Sequence, residues 1–216
     1  MLYRIFATAF AAGIIAAALI SVLQSFTTTP MILAAETFEL PPLSEDEVDT
    51  AAEIQRSVFT FMANAVTTIA FALITVVGLT FGNAKPDRTK GLMVAAIGFA
   101  AFGLAPAMGM PPKLPGMPVG DFDLRQYWWI STALMTLVGL VCLFVQDKLS
   151  LKVLGAILLI APHIWGAPMP DNMDSDVPAT LAANFAANAI VMSAVLWTTL
   201  GATTPYFYEK FKPKEV

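Results

Sequence analysis

The residues best suited to chemistry lie between positions 160 and 176, where the sequence reads Ile-Ala-Pro-His-Ile-Trp-Gly-Ala-Pro-Met-Pro-Asp-Asn-Met-Asp-Ser-Asp. His163 is the single histidine of the chain, and Asp171 and Asp174 follow it. Imidazole and carboxylate groups are ligands that divalent transition metals accept in proteins. The spacing therefore predicts a transient metal site, with His163 as the main ligand and Asp171 and Asp174 as helpers. A loop with one incidental histidine would have a similar sequence.

The chain that must position these residues is strongly apolar. Of its 216 residues, 57% are hydrophobic and 13% are charged, and the mean hydropathy is +0.70. Soluble domains carry about 25% charged residues, and the deficit here comes from several long apolar runs. The composition therefore predicts an all-α integral membrane protein that lies in the lipid bilayer and has no nucleic-acid partner.

The sequence lacks the residue patterns of common enzyme sites. It has one histidine, no His-Glu-x-x-His motif and no glycine loop of the phosphate-binding type, so general acid–base catalysis has few candidate groups. Cys142 is the single cysteine, which excludes an intramolecular disulfide and a cysteine-based metal cluster. We predict a protein that is not an enzyme and that holds no permanently bound cofactor.

Six apolar segments are long enough to cross a membrane, and we predict one polytopic domain over residues 1–216. A helix rises about 1.5 Å per residue, so about 20 residues cross a hydrocarbon layer of about 30 Å. The fifth segment is the shortest, and it ends in a stretch rich in proline and glycine. The predicted spans are residues 5–26, 58–81, 91–108, 127–145, 151–165 and 181–204.

The distribution of charge predicts the orientation of these spans. With the N-terminus in the cytoplasm, nine of the twelve Lys and Arg residues lie on the inner side, and twelve of the sixteen acidic residues lie outside. Cytoplasmic loops of membrane proteins carry such an excess of basic residues. We therefore place both termini in the cytoplasm, in a multi-pass protein of a bacterial cytoplasmic membrane. Tyr127, Trp128 and Trp129 then fit an aromatic belt at the outer surface.

The first outer loop, residues 27–56, is the most acidic part of the chain. Its acids are either solvated loop residues or a funnel that concentrates cations at the outer surface. A short helix over residues 45–56, capped by Ser44, is predicted within it. Glu36 follows the membrane end of the first span, and we add it to the candidate metal ligands.

Polar side chains inside the spans are candidates for lining a path through the membrane. The candidates are four amides, Gln24, Asn64, Asn184 and Asn188. Intramembrane amides line substrate paths or form hydrogen bonds between helices, and the sequence leaves both interpretations open. Few polar residues follow Asn188 toward the cytoplasm. This shortage favours a complex in which a partner helix supplies further groups.

Methionines suggest an alternative function. Met108, Met110, Met169 and Met173 are predicted near the outer surface, and thioethers select Cu(I). Methionine also fills gaps in apolar packing, so these residues are either alternative ligands for Cu(I) or structural residues. A membrane scaffold or assembly subunit that transports nothing is a third interpretation, and it needs no chemistry at His163.

A weak internal repeat links two parts of the chain. The sequence Leu-Ala-Pro-Ala-Met-Gly-Met-Pro around Pro106 is similar to Ile-Ala-Pro-His-Ile-Trp-Gly-Ala-Pro around Pro162. Each lies at the outer end of a predicted span that runs outward, and Pro30 follows the first such span. The pattern predicts three helical hairpins in parallel repeat, a device known among transporters.

Several sequence blocks, spread over nearly the whole chain, carry a family resemblance. They include Met-Leu-Tyr-Arg-Ile, Pro-Met-Ile-Leu-Ala-Ala-Glu, Met-Gly-Met-Pro-Pro-Lys-Leu-Pro-Gly-Met-Pro, Arg-Gln-Tyr-Trp-Trp and Val-Pro-Ala-Thr-Leu-Ala-Ala-Asn-Phe. The most specific block is Pro-His-x-x-Gly-Ala-Pro at residues 162–168. Together they resemble the CbtA family of predicted cobalt transporter subunits.

The resemblance implies a transporter, or a transporter subunit, that takes up Co²⁺ for cobalamin synthesis. It also implies a partner, since CbtA proteins often occur beside CbtB, a small one-helix membrane protein with histidines. Imidazole and carboxylate ligands suit Ni²⁺ as well as Co²⁺. Ni²⁺ and Cu⁺ are therefore the alternative transported ions.

Overall fold

The structure, a computed structural model, describes residues 1–39, 50–81 and 86–213. These residues form helices joined by loops, which confirms the prediction of an all-α protein. The helices are α1 (Leu2–Phe26), α2 (Thr28–Glu36), α3 (Thr50–Thr80), α4 (Arg88–Gly109), α5 (Phe122–Phe144), α6 (Leu149–Trp165) and α7 (Ala179–Lys210). Within α4 the segment Phe99–Leu104 is π-helical.

Among the described residues, five helices are long and apolar enough to cross a membrane: α1, α3, α4, α5 and α7. The remaining apolar helix, α6, has 17 residues. Its length of about 25 Å is short for a hydrocarbon layer of about 30 Å. Each predicted span coincides with one of these six helices, so the chain is a multi-pass membrane protein with about six helices. The orientation, with both termini in the cytoplasm, stays a prediction.

The region between the first two spans is more helical than the sequence predicts. The helix α2 lies within the predicted loop 27–56. Packing stabilises this helix, because its residue Ala35 is buried in a cluster with Leu114 and Val177. The helix α3 begins at Thr50, so residues 50–56 of the predicted short helix over residues 45–56 are helical, and they continue into the second span without a break. Ala, Glu, Gln and Arg favour this continuation because they have high helix propensity. Residues 45–49 of that predicted helix lie outside the described residues. Ser44, the predicted cap, lies outside the described residues.

The chain divides into two compact units. The first unit comprises Met1–Thr29, Pro42–Ala96 and Met192–Val216, and the second comprises Pro30–Pro41 and Ile97–Val191. The helices α1 and α3 therefore belong to the first unit, and α5 and α6 belong to the second. The helices α4 and α7 each contribute one part to both units. A single polytopic domain over residues 1–216 stays a prediction.

Small residues bring the helices of the first unit close together. A Cβ atom at Gly13 of α1 would lie 2.7 Å from the Cα atom of Ile69 in α3, so a larger residue would push these backbones apart. Close approach through small residues is the usual way in which helices pack in membranes. The core beside this crossing is fully buried and consists of Ala9, Ala12, Ala16, Ala72, Val76 and Leu200.

Arg4 joins the start of α1 to the end of α7 within the first unit. Its Nε donates a hydrogen bond to the carbonyl of Tyr208, and its guanidinium carbon lies 3.6 Å from the centre of the Tyr208 ring. A carboxylate oxygen of Glu209 lies 3.5 Å from the same guanidinium. The two helix ends therefore lie together, as the prediction that both termini face one side of the membrane requires.

The helices α5 and α6 form a helical hairpin in the second unit. A Cβ atom at Gly139 would lie 2.9 Å from the carbonyl oxygen of Gly155, and a Cβ atom at Gly155 would lie 2.6 Å from the carbonyl oxygen of Gly139. The two backbones thus touch at this crossing, which only glycine allows. The repeat of three hairpins across the whole chain stays a prediction.

Candidate metal site

His163 lies in the last turn of α6, directly after a proline. Pro162 is buried, and its carbonyl accepts a hydrogen bond of 3.2 Å from the amide of Gly166. Gly166 has a φ of 83°, which favours glycine, and it ends the helix. The His163 side chain is half-buried at this helix end. The Pro-His-x-x-Gly part of the specific sequence block therefore sets where α6 stops and where its histidine lies.

Trp128 of α5 holds the end of α6 in place. Its indole N–H donates a hydrogen bond of 3.2 Å to the carbonyl of Pro162. Its ring meets the His163 ring edge-on, with 6.2 Å between the ring centres and an angle of 74° between the planes. A Cβ atom at Gly109, the last residue of α4, would lie 2.4 Å from the indole. Three helices, α4, α5 and α6, therefore meet at Trp128.

The prediction that Trp128 belongs to an outer aromatic belt is wrong. Only 3% of Trp128 is exposed, whereas 70% of Tyr127 is exposed, as a belt residue would be. The physical reason is the hydrogen bond to Pro162 and the space left by Gly109, which together accept a buried indole. Trp128 therefore fixes the position of the helix end that carries His163.

Removing the indole N–H of Trp128 tests this role. For the cobalt uptake that the family resemblance implies, with His163 as the predicted ligand, we expect Trp128→Phe to raise the cobalt concentration needed for half-maximal uptake by about tenfold, because groups that orient a metal ligand affect metal affinity by about 10- to 100-fold. The maximal rate should change little. Trp129→Phe is the matched control, since Trp129 is half-buried and packs on the Phe102 ring. Equal effects of the two changes would contradict a positioning role.

The helix α4 is irregular where it approaches Trp128. Its π-helical segment, Phe99–Leu104, is followed by Pro106, which is buried. Proline has no amide hydrogen and interrupts the helical bonding pattern, and π-helical turns often lie at functional sites. Two helices of the second unit thus contain a proline within one or two turns of their last residue. In α4 it is Pro106, before Gly109, and in α6 it is Pro162, before Trp165.

The carboxylates predicted to help His163 lie on an exposed loop. Asp171 and Asp174 are exposed, and the amide of Asp174 donates a hydrogen bond of 2.8 Å to the side chain of Asn172. In the part of the chain that the structure describes, no three His, Cys, Asp or Glu side chains are grouped to hold a metal ion. The structure therefore does not gather His163, Asp171, Asp174 and Glu36 into one site, and their role as ligands stays a prediction.

Glu36 nevertheless lies near the loop that carries Asp171 and Asp174. It is the last residue of α2 and is half-buried. Its neighbour Ala35 packs in one cluster with Leu114 and Val177. Val177 follows closely after Asp174 in the sequence, so this cluster brings the end of α2 close to the end of the loop that carries Asp174.

The two amides of α7 belong to the second unit, as His163 does. The side-chain NH₂ of Asn188 donates a hydrogen bond of 2.9 Å to the carbonyl of Asn184, one turn earlier. The Asn184 side chain is exposed, and that of Asn188 is half-buried. Asn188 thus bonds within its own helix in this conformation, and the path-lining role of both amides stays a prediction.

Gln24 and Asn64 lie in the first unit, where they connect α1 to α3. The side-chain NH₂ of Asn64 donates hydrogen bonds to the Ser21 hydroxyl at 2.9 Å and to the Gln24 side-chain oxygen at 2.7 Å. The sequence leaves two interpretations of these amides open, a path through the membrane and hydrogen bonds between helices. For Gln24 and Asn64 the structure favours the second. A path-lining role for these two amides stays a prediction.

Asn64→Leu separates the two interpretations. Hydrogen bonds between membrane helices contribute about 0.6 to 2 kcal/mol each, so we expect the free energy of unfolding in detergent to fall by about 1 kcal/mol while metal uptake is unchanged. Thr67→Val is the control, because the Thr67 hydroxyl bonds only to its own helix, at the Ala63 carbonyl. Loss of uptake without loss of stability would show instead that Asn64 lines a path.

The methionines of the Cu(I) alternative lie mainly on the surface. Met108, Met169 and Met173 are 70%, 69% and 61% exposed. Met110 is half-buried and lines a shallow groove with Trp129. Exposed thioethers on a membrane protein contact lipid or water as well as metal, so the role of these four residues as soft-metal ligands stays a prediction.

A set of buried threonine hydroxyls forms a feature that no sequence pattern predicted. In the described residues, the hydroxyl oxygens of Thr8, Thr132, Thr136 and Thr204 are buried without a hydrogen-bond partner. Thr132 and Thr136 follow Trp128 along α5 at intervals of one turn. Threonine is common in membrane helices, where it bonds to its own backbone, so no sequence signal marks these residues.

The comparisons with known proteins agree with the resemblance found in the sequence blocks. A family model described as "Probable cobalt transporter subunit (CbtA)" matches residues 2–209. The match therefore includes every helix of the chain, except for the last residue of α7. No curated protein and no solved structure matches the chain.

Proposed function

The chain belongs to the CbtA family of probable cobalt transporter subunits, and we propose that it is the membrane subunit of a bacterial system that takes up Co²⁺ for cobalamin synthesis. The family match and the apolar helices support a transporter subunit in a multi-pass membrane protein. In this proposal the protein lies in the cytoplasmic membrane, and the ion passes from the outside to the cytoplasm.

The observation that carries the choice of site is the pair of interrupted helices in the second unit. The helix α4 has a π-helical segment and Pro106, and the short α6 has Pro162. In transporters, short or proline-interrupted spans surround the substrate site, because broken helices offer backbone groups that no helical bond uses. His163 lies where the end of α6 meets Trp128. We therefore place the first metal-binding step at His163.

The chemistry of this step follows from the ligand types. An imidazole nitrogen of His163 binds Co²⁺ in place of a water molecule, as imidazole ligands do for Co²⁺ and Ni²⁺. Asp171, Asp174 and Glu36 raise the local concentration of cations and help to hold the partly hydrated ion. A site with a single histidine binds the ion weakly, which suits a transient site that must also release it.

A second subunit completes the path in this proposal. A charged side chain at the centre of a bilayer costs at least about 2.5 kcal/mol on insertion scales, so a cation needs polar groups along its route. Asn184 and Asn188 supply such groups on α7, beyond His163. The family description names a subunit, which supports a complex. We propose a small one-helix protein with histidines, similar to CbtB, as the partner.

Metal accumulation in cells, measured by elemental mass spectrometry, tests the proposed function. Cells that express the chain together with the small histidine-bearing partner should accumulate more cobalt than cells that express the partner alone. Nickel and copper are measured in the same samples. A rise in copper at constant cobalt would favour the Cu(I) alternative, and no change in any metal would favour a scaffold.

A further inference from the structure

Thr132 and Thr136 carry hydroxyl groups in the second unit that no described protein group satisfies. Thr132 is 0% exposed and Thr136 is 3% exposed, and neither hydroxyl has a hydrogen-bond partner among the described residues. A buried hydroxyl without a partner lowers the stability of a fold. Because these hydroxyls do not stabilise the structure, they are candidates for binding a ligand.

Other threonines in the membrane helices bond differently. The hydroxyls of Thr67 and Thr75 in α3, and of Thr199 and Thr203 in α7, each donate to the carbonyl four residues earlier, at distances of 2.7 to 2.9 Å. This is the usual bond of threonine in a membrane helix. The two threonines of α5 lack it, so their hydroxyls remain available to another group.

The two hydroxyls lie between two contacts that α5 makes with α6. At one end Trp128 meets His163 and its preceding residue, and at the other end Gly139 packs on Gly155. The threonines follow Trp128 at intervals of four residues, which places all three on one face of the helix. This face is therefore the one that packs against α6. In the predicted orientation, the two threonines on it lie closer to the cytoplasm than His163 does.

Pro162 leaves a backbone carbonyl oxygen without its helical hydrogen bond, between the same two contacts of α5 with α6. It has no amide hydrogen, so the carbonyl of Leu158, four residues earlier in α6, lacks its usual helical donor. Leu158 lies in α6 between Gly155, which meets α5, and His163, which meets Trp128. Hydroxyl and carbonyl oxygens are the groups that replace water around a cation in binding sites and channels.

We propose that the hydroxyls of Thr132 and Thr136, with the Leu158 carbonyl, bind the transported divalent cation on the step after His163. This inference rests on the proposed function. The hydroxyls are buried in the present conformation, so the cation reaches them when the end of α6 moves away from α5. Pro162 interrupts the helix there, which permits such a bend. These oxygens supply the polar groups that the sequence analysis did not find on the inward route.

The double variant Thr132→Val, Thr136→Val tests this proposal, because valine keeps the shape of threonine and removes the hydroxyl. We expect the initial rate of cobalt uptake, with the partner present, to fall by at least about tenfold, because the loss of even one bond to a charged group has an effect of this size and the variant removes two. The melting temperature of the purified protein should be unchanged or higher. Wild-type uptake by this variant would overturn the proposal.

A matched control comes from the first unit. Thr8→Val, Thr204→Val removes two hydroxyls that are equally buried and equally unpartnered among the described residues, and it should keep wild-type uptake. An equal loss of uptake in this control would also overturn the proposal, because the effect would not be specific to the second unit.

A serine and alanine pair covers the case in which valine disturbs folding. Thr132→Ser, Thr136→Ser and Thr132→Ala, Thr136→Ala lose the same methyl groups and differ in the hydroxyls. Uptake should persist with serine and fall with alanine, and equal rates would contradict the proposal. If the wild-type chain takes up no cobalt with its partner, the proposed function itself is refuted, and this inference with it.

Discussion

Replacing His163 with alanine is expected to lower cobalt accumulation by about 10- to 100-fold, because even groups that only support a metal ligand have effects of this size. The chain has no other histidine that could substitute. The protein should still fold and insert, since the hydrogen bond that holds this helix end runs from Trp128 to the backbone of Pro162. Elemental mass spectrometry, together with the amount of protein in the membrane, measures the effect.

Ile164→Ala is the matched control for this experiment. Ile164 is the next residue of α6 and is 80% exposed, so its truncation removes side-chain atoms from the same turn without removing a ligand. It should leave cobalt accumulation near the wild-type level. If the His163 variant retains full uptake, the transporter stands and the site must lie elsewhere. If both variants lose uptake, the turn matters rather than the imidazole.

Gly155→Ala is expected to cause a large loss of stability. The added Cβ atom would lie 2.6 Å from the carbonyl oxygen of Gly139 and 3.0 Å from Cγ of Leu143. Backbone atoms cannot rotate away, so α5 and α6 must separate. Overpacking of this kind costs about 1 to 3 kcal/mol. Unfolding in mixed detergent micelles measures the free energy, and uptake should fall too because the His163 turn shifts with α6.

Val153→Ile is the control, because it adds one carbon to the same helix at a side chain that is 52% exposed. Its free energy of unfolding should stay within about 0.5 kcal/mol of the wild type, as is usual for surface substitutions. A similarly small effect of Gly155→Ala would show that the crossing at Gly139 is looser than the structure indicates.

The helical spans were predictable because the bilayer imposes a simple rule on the sequence. About 20 consecutive apolar residues are needed to cross it, and such runs stand out between the charged loops of this chain. The start of α3 at Thr50 does not follow from the same rule. Outside the bilayer, helix formation depends on propensity, capping and packing. The capping pattern predicted a short helix over residues 45–56, but no pattern indicated that it continues into the second span.

The candidate site was predictable only in part. Its main residue can be recognised from its amino-acid type, but the residues that hold it in place can be recognised only from the packing of the helices. His163 is recognisable as the single histidine within a distinctive block. Trp128 has the same residue type as its neighbour Trp129, and only the space at Gly109 shows which of them is buried. Glu36 and Asp174 are far apart in the sequence, and no periodic pattern indicates that α2 shares a cluster with Val177, which follows the loop of Asp174.

The first unit has a consequence for how the protein is made. Its core joins Ala9 to Leu200, and Arg4 bonds to the backbone of Tyr208. A chain is synthesised from its N-terminus, and contacts between helices far apart in the sequence form only after the later helix is made. The surface of α1 and α3 that Leu200 covers therefore stays uncovered until α7 is synthesised. Assembly of the first unit thus depends on the synthesis of α7, and premature termination before α7 would leave both units unfinished.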